Sequence, residues 1–447
     1  MNNKFGNRIF TRSMSRRDFL YLLSLSSAAY ALTGCAVDPV TGRQQLVLMS
    51  EEGEISLDRQ QSPQQFSMDY GVCQDRALND YVGRVGSVIA ATSHRPGMPY
   101  SFRAVNAVYV NAYAFPGGSI AVTRGILAEL QDEAALAALL GHEIGHVNAR
   151  HTAERMTKGT LVQLALAGSS GYMRSGEYAG YAPYLDKIGG LGAQVLLASY
   201  SRVDEREADS LGMEYMVRGG HNPKGMSGLM EVLVKKSQHK PNALELMFST
   251  HPMSQERYDT AVRSVESQYA SYRGRDMLRQ RYMDNTAGIR KIRGALEDMQ
   301  NGAGFMAAGE MNRAESSFAD ALKKAPDDYA ALLMMAKCKM ALKKDQEAVS
   351  FAEQAKRVYP TEAQAVQVSG VGKLALNRFS EAYQEFSGYD RMMPGNPSIA
   401  FLKGVSLEGM QKRQEAAEEY YRYLQQVREG GAAQHAYQRL QDWGVVK

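Results

Sequence analysis

The sequence predicts two unlike halves: an α+β domain, mostly helical with a small sheet, followed by an all-α solenoid. Three observations carry this prediction. His142-Glu143-Ile144-Gly145-His146 sits in a run of strong helix formers, residues 102–122 alternate apolar with small or polar side chains, and from Ala314 onward three columns of residues recur every 34 positions. A chain of 447 residues also exceeds one ordinary domain.

The first 34 residues read as an export signal. Ser15-Arg16-Arg17-Asp18-Phe19-Leu20 resembles a twin-arginine signal, and the apolar run from Phe19 to Leu32 is 14 residues, too short to span a bilayer comfortably. Leu32-Thr33-Gly34-Cys35 resembles a bacterial lipobox, with Cys35 as the lipidated first residue of the mature chain and Ala36 after it pointing to the outer membrane. Residues 1–34 hold five basic and one acidic side chain, so their removal takes the formal charge from +4 to zero and the basic balance says nothing of nucleic acid. No later segment approaches the length of a membrane-spanning helix, so the expectation is a periplasmic protein held to the membrane by its lipid alone.

Residues 102–122 read as two strands joined by a turn at Pro116-Gly117-Gly118. They form either a core hairpin or an exposed edge able to hold an extended peptide by backbone hydrogen bonds. Next, Asp132 is a fitting N-cap for a helix carrying the HEIGH stretch. Residues at i and i+4 lie about 40° apart on a helix, so His142 and His146 can grip one ion while Glu143 reaches a water beside it. The metzincin extension is excluded, because Ala149 and Thr152 stand where it needs glycine and histidine. His151, nine residues after His142, is about 180° around a continuing helix and reads as a surface or structural histidine. Residues 168–192 contain seven glycines and several tyrosines and read as a loop or lid.

The acidic run Ser201-Arg-Val-Asp-Glu205-Arg-Glu207-Ala208-Asp209 supplies a third ligand. Glu205 and Glu207 are about 200° apart, so only one can face the ion. Glu205 is the choice, because Asp209 then sits one turn on and can accept the second ring N–H of a ligating histidine. Ala208 offers a small residue where two helices must approach. His251 follows in Ser249-Thr-His-Pro252, ahead of Arg257 and a helix start near Ser254. It can hydrogen-bond a tetrahedral intermediate, take the fourth metal position, or be structural.

HEIGH, the SR-then-EREAD run, the NAYAFPGG run at 111–118 and Thr250-His251-Pro252, in this order, resemble the gluzincin peptidases of the HtpX and CAAX-prenyl-protease family over roughly residues 38 to 260. The resemblance implies an α+β zincin-like metallopeptidase fold, one Zn2+ per chain on His142, His146 and Glu205, and Glu143 as general base in peptide hydrolysis.

The final third repeats. Ala314, Ala348, Ala382 and Ala416 share the 34-residue spacing with Phe318, Ala352, Phe386 and Tyr420, and with Pro326, Pro360 and Pro394. That is the tetratricopeptide period. About four repeats run over 294–429, the last lacking the proline (Arg428), with an amphipathic capping helix from Gln434 to Trp443. The expected divisions are a signal (1–34), the metallopeptidase (35–270), a helical linker rich in arginine (271–293) and the repeats with their cap (294–447). Cys73 and Cys338, one in each half, are taken as unpaired thiols.

A gluzincin domain joined to tetratricopeptide repeats behind a lipobox resembles the periplasmic BepA type, although the twin-arginine signal and lipid anchor depart from it. The resemblance implies an endopeptidase acting on unfolded or misassembled envelope and outer-membrane proteins. The repeats would recruit substrate or the outer-membrane assembly machinery. The rival expectation is a repeat-based adaptor or chaperone with a latent metal site.

Overall fold

The computed structural model describes residues 35–37, 39–42, 44–157, 199–239, 247 and 250–446. The twin-arginine stretch, the lipobox up to Gly34 and the glycine-rich run 168–192 lie outside them. Among the described residues no helix is long and apolar enough to cross a membrane. Strands β1 (Cys35–Val37) and β2 (Gln44–Leu46) pair antiparallel, with Cys35 opposite Leu46.

The two strands expected over 102–122 are three: β3 (Ser101–Val105), β4 (Ala112–Ala114) and β5 (Ser119–Thr123), in the order β3-β5-β4. The expected hairpin is β4–β5, turning at Gly118, whose φ of +102° suits glycine. β3 instead runs parallel to β5 along its other side. Tertiary hydrogen bonds pull the chain out of the strand after Val105: Asn106 donates its backbone N–H to Gly71 O at 2.9 Å, and its carbonyl accepts from Arg124 Nε at 3.1 Å. β4 is an edge, but all three of its residues are buried.

Helix α1 (Glu51–Met68) and helix α2 (Arg76–Ala90) precede the sheet, and the short α3 (Arg124–Glu129) follows it. The HEIGH stretch lies on α4 (Glu133–Asn148), which starts where Asp132 Oδ1 accepts from Ala135 N at 2.8 Å. Every residue of α4 is buried, so it is the central helix of the domain. The acidic run forms α5 (Arg202–Arg218), opened by a capping box in which Ser201 and Asp204 bond each other's backbone N–H. Helices α6 (Lys224–His239) and α7 (Gln255–Glu266) complete this half.

The arginine-rich stretch that follows contains α8 (Arg279–Asn285) and α9 (Ala287–Lys291), and its cations are spent on docking. Arg281 pairs with buried Glu133, Arg275 Nη1 donates to Val217 O at 2.6 Å, and Tyr282, fully buried, donates to Leu127 O at 2.6 Å.

Four helix pairs then stack: 293–307 with 311–324, 329–341 with 345–358, 363–375 with 379–392 and 397–409 with 413–424. The cap runs from Gly431 to Asp442, beginning three residues earlier than expected. The alanine column and the aromatic-or-small column sit on the second helix of each pair and are fully buried. Opposite the aromatics, the first helices carry Gly302, Gly370 and Gly404, where a Cβ would come within 2.6 Å of Phe318, Phe386 and Tyr420 respectively. A further column appears in the turns between paired helices, where Gly309, Lys343, Asn377 and Gln411 all have φ between 57° and 77°.

The halves are not separate bodies. One apolar core runs from Leu78 and Val108 through Leu296 and Phe318 to Met335. Across the junction Arg124 Nη1 meets Asp328 Oδ2 at 2.5 Å, both side chains buried, and Gln364 Nε2 donates to Ser67 O at 2.7 Å. Cys73 and Cys338 are free and buried, and burial pushes the Cys73 thiol up to about 12.

Candidate metal centre

Helices α4 and α5 form the closest helix packing around the site because small residues line the crossing. A Cβ on Gly145 would lie 2.9 Å from the carbonyl oxygen of Ala208. This approach brings Glu205, in the first turn of α5, against the two histidines of α4. His142 Nε2 lies 3.1 Å from His146 Nε2 and 3.7 Å from Glu205 Oε2, and His146 Nε2 lies 3.3 Å from Glu205 Oε1.

A fourth group joins them. His251 Nδ1 is 3.4 Å from His142 Nε2 and 3.0 Å from Glu205 Oε1. All four side chains are buried. Zinc bonds nitrogen and oxygen at about 2.0–2.2 Å, so tetrahedral ligand atoms stand about 3.3–3.5 Å apart. Five separations, to one or other oxygen of Glu205, are 3.0–3.7 Å and bracket that edge length, and one donor atom from each of the four residues lies within 4.8 Å of the others. The donor set of three imidazoles and one carboxylate also suits a divalent metal of this kind.

Glu143 is buried beside the cluster, its Oε1 3.8 Å from His251 Nε2, while its Oε2 bonds nothing among the described residues. Burial pushes its carboxyl above the usual range, against the pull of His251 and His142. Burial also disfavours charge on Glu205, but His251, His146 and His142 outweigh it and hold Glu205 well below the carboxylate range. For His146, burial and the neighbouring His142 and His151 win over Glu205, so its ring is neutral, the form that binds metal.

Asp209 stands where the facial argument puts it, Oδ1 2.9 Å from His142 Nδ1. The sequence did not disclose what holds Asp209. Arg257 grips its carboxylate with two hydrogen bonds of 2.7 Å, and its Nη1 also lies 2.6 Å from Glu205 Oε2, close but poorly aligned for a hydrogen bond. Tyr200 was missed as well. Its ring stacks on His146 with centroids 3.8 Å apart, and its hydroxyl meets Thr152 Oγ1 at 2.8 Å. Only its position directly before the Ser201 cap hinted at this.

His151 stays outside the four-residue cluster, and what is corrected is the continuing helix assumed for it and the surface alternative. Helix α4 ends at Asn148, and Arg150 takes a left-handed φ of 57°. That turn swings His151 back, buried, until its Nδ1 lies 3.0 Å from His146 Nδ1. Glu207, the rejected alternative to Glu205, has its Oε2 3.5 Å from His151 Nε2.

The span from Arg76 to Ser264 matches the model of peptidase family M48. Residues 76–264 are an M48 domain. A tetratricopeptide repeat model matches residues 305–368. The chain is 29% identical over 191 residues to the beta-barrel assembly-enhancing protease of Yersinia pestis, covering 42% of this chain and 39% of that one. It is 34% identical over 171 residues to the mitochondrial metalloendopeptidase OMA1 of Arabidopsis thaliana, covering 38% and 32%. With the metalloprotease LoiP of Escherichia coli (strain K12) it shares 29% identity over 185 residues, 40% of this chain and 69% of that one. The chain thus spans well under half the length of the first two relatives. The M48 domain contains His142, Glu143, His146, Glu205 and His251, the whole of the cluster described above.

Proposed function

We propose that this chain is a zinc-dependent endopeptidase of the cell envelope. The observation that carries the proposal is the convergence of His142, His146, Glu205 and His251, one donor atom from each within 4.8 Å of the others, with the buried, unpartnered Glu143 Oε2 beside them. His142, His146 and Glu205 would hold zinc, which when bound polarises a carbonyl and acidifies a water. Glu143 takes the proton from the attacking water as the carbonyl carbon is attacked. It then gives that proton to the departing amine as the C–N bond breaks.

His251 occupies the side of the cluster that an attacking water needs, between Glu205 and Glu143. We read this arrangement as a closed form, in which His251 must swing out before substrate enters. The same observation favours the second reading, a repeat-based adaptor with a latent site.

Further parts of the proposal rest on sequence and on relatives. Twin-arginine export, lipidation of Cys35 and an outer-membrane address are proposed from the N-terminal residues. Unfolded or misassembled outer-membrane substrates are proposed from the family resemblance, with support for a link to barrel assembly in the name of the Yersinia relative, a beta-barrel assembly-enhancing protease. The repeats would recruit those substrates or an assembly partner.

Cleavage of casein and of unfolded outer-membrane protein tests this, comparing the wild type with Glu143→Gln and His251→Ala at equal zinc content. Loss in Glu143→Gln with a gain in His251→Ala is expected. Zinc binding without cleavage by either the wild type or His251→Ala supports the adaptor instead.

A further inference from the structure

The two histidines of α4 are backed by partners of different kinds. His142 Nδ1 faces the Asp209 carboxylate at 2.9 Å, whereas His146 Nδ1 faces another imidazole, His151 Nδ1, at 3.0 Å. Behind His151, its Nε2 lies 3.5 Å from Glu207 Oε2. We propose that Glu207 and His151 form a carboxylate–imidazole relay that orients His146 and tightens its hold on the metal. The proposal rests on the zinc reading of the site.

A histidine that binds metal through Nε2 carries its proton on Nδ1, and that N–H needs an acceptor when buried. His146 is fully buried and His151 is only 3% exposed, so solvent does not supply one. His151 Nδ1 can accept only when the His151 proton sits on Nε2, and the carboxylate facing that side is Glu207, 3.5 Å away. Tyr200 covers one face of the His146 ring, leaving the Nδ1 edge as the handle by which its rotation is fixed.

The delivery of His151 to this place is itself built. Arg150 Nε donates to Glu54 Oε1 at 2.8 Å and its Nη2 to Met49 O at 2.6 Å, which holds the left-handed turn after α4. Three of the five acids on α5 thus divide the work. Glu205 joins the cluster, Asp209 backs His142, and Glu207 backs the histidine that backs His146. His151 and Glu207 are positioning residues.

Zinc affinity of the purified full chain, measured by competition with a chromophoric chelator, tests this without reference to cleavage. His151→Phe keeps a ring but no acceptor, and a loss of about 10–100-fold in affinity is expected. His151→Gln, whose side-chain carbonyl can accept from His146 Nδ1, is expected to recover most of it, which a purely space-filling role would not produce. Glu207→Ala, at a site a quarter exposed, is expected to lose several-fold and serves if the ring variant is insoluble. Wild-type affinity in soluble His151→Phe or in Glu207→Ala overturns the relay while leaving the zinc site intact. A wild type that binds zinc no better than His146→Ala overturns the zinc reading, and the relay with it.

Discussion

A Cβ on Gly212 would lie 2.6 Å from the backbone nitrogen of His142. Helix α4, which carries His142 and His146, and the helix that supplies Glu205 are therefore in backbone contact, and the gap between them has no room for a methyl group.

Gly212→Ala is accordingly expected to push α5 away from α4. Overpacking of this kind costs about 1–3 kcal/mol. It should also draw Glu205 off the cluster and lower zinc affinity by at least tenfold, an effect that chelator competition alongside thermal melting would measure. Unchanged affinity would mean that the helices absorb the methyl elsewhere.

Arg257→Lys keeps the charge but cannot make both bonds to Asp209. With Asp209 loosened behind His142, zinc affinity is expected to fall about tenfold or more. Cobalt substitution gives an independent readout, since a changed visible spectrum would report altered ligand geometry.

Removing the metal should destabilise the M48 domain reversibly. Ligand at 100 times its Kd contributes about 2.7 kcal/mol, so chelation is expected to lower the melting temperature and added zinc to restore it. Glu205→Gln should show little of this shift. A wild type indifferent to chelator would contradict the prediction.

Asp328→Asn leaves Arg124 buried with its two hydrogen bonds to Asn106 O but no counter-charge. Breaking a buried pair costs about 3–5 kcal/mol. The contact between the halves should also weaken in acid. Burial opposes the charge of Asp328, yet Arg124 outweighs burial and holds its pKa below the ordinary 3.8. A depressed folded-state pKa contributes stability that is present above pH 3.8 and lost as pH falls through the lower folded value. The protection of amides around α3, taken relative to the intrinsic exchange rate at each pH, is expected to fall from pH 5 to pH 3 in the wild type and to change far less in Asp328→Asn.

Much of this was legible because it is written in local periodicity. His142, Glu143 and His146 need only one helix to be placed together, and the 34-residue columns need only a repeated helix pair. Choosing Glu205 over Glu207 took one further step, a facial comparison anchored by Asp209. What escaped depends on distant residues. The angle calculation for His151 presumed a continuing helix, whereas the break at Arg150 is held by Glu54, 96 residues away. Likewise the parallel pairing of β3 with β5 is set by Asn106 binding Gly71 and Arg124, which no alternation of apolar residues encodes.

Part of the repeat surface is already covered by the same chain. Ser67 and Gln74, near the link from α1 to α2, bond Gln364 and Val358 on the third and second repeats respectively. A tethered segment acts at an effective concentration that reaches millimolar for short connections. A free peptide aimed at Gln364 would therefore have to displace the molecule's own N-terminal half.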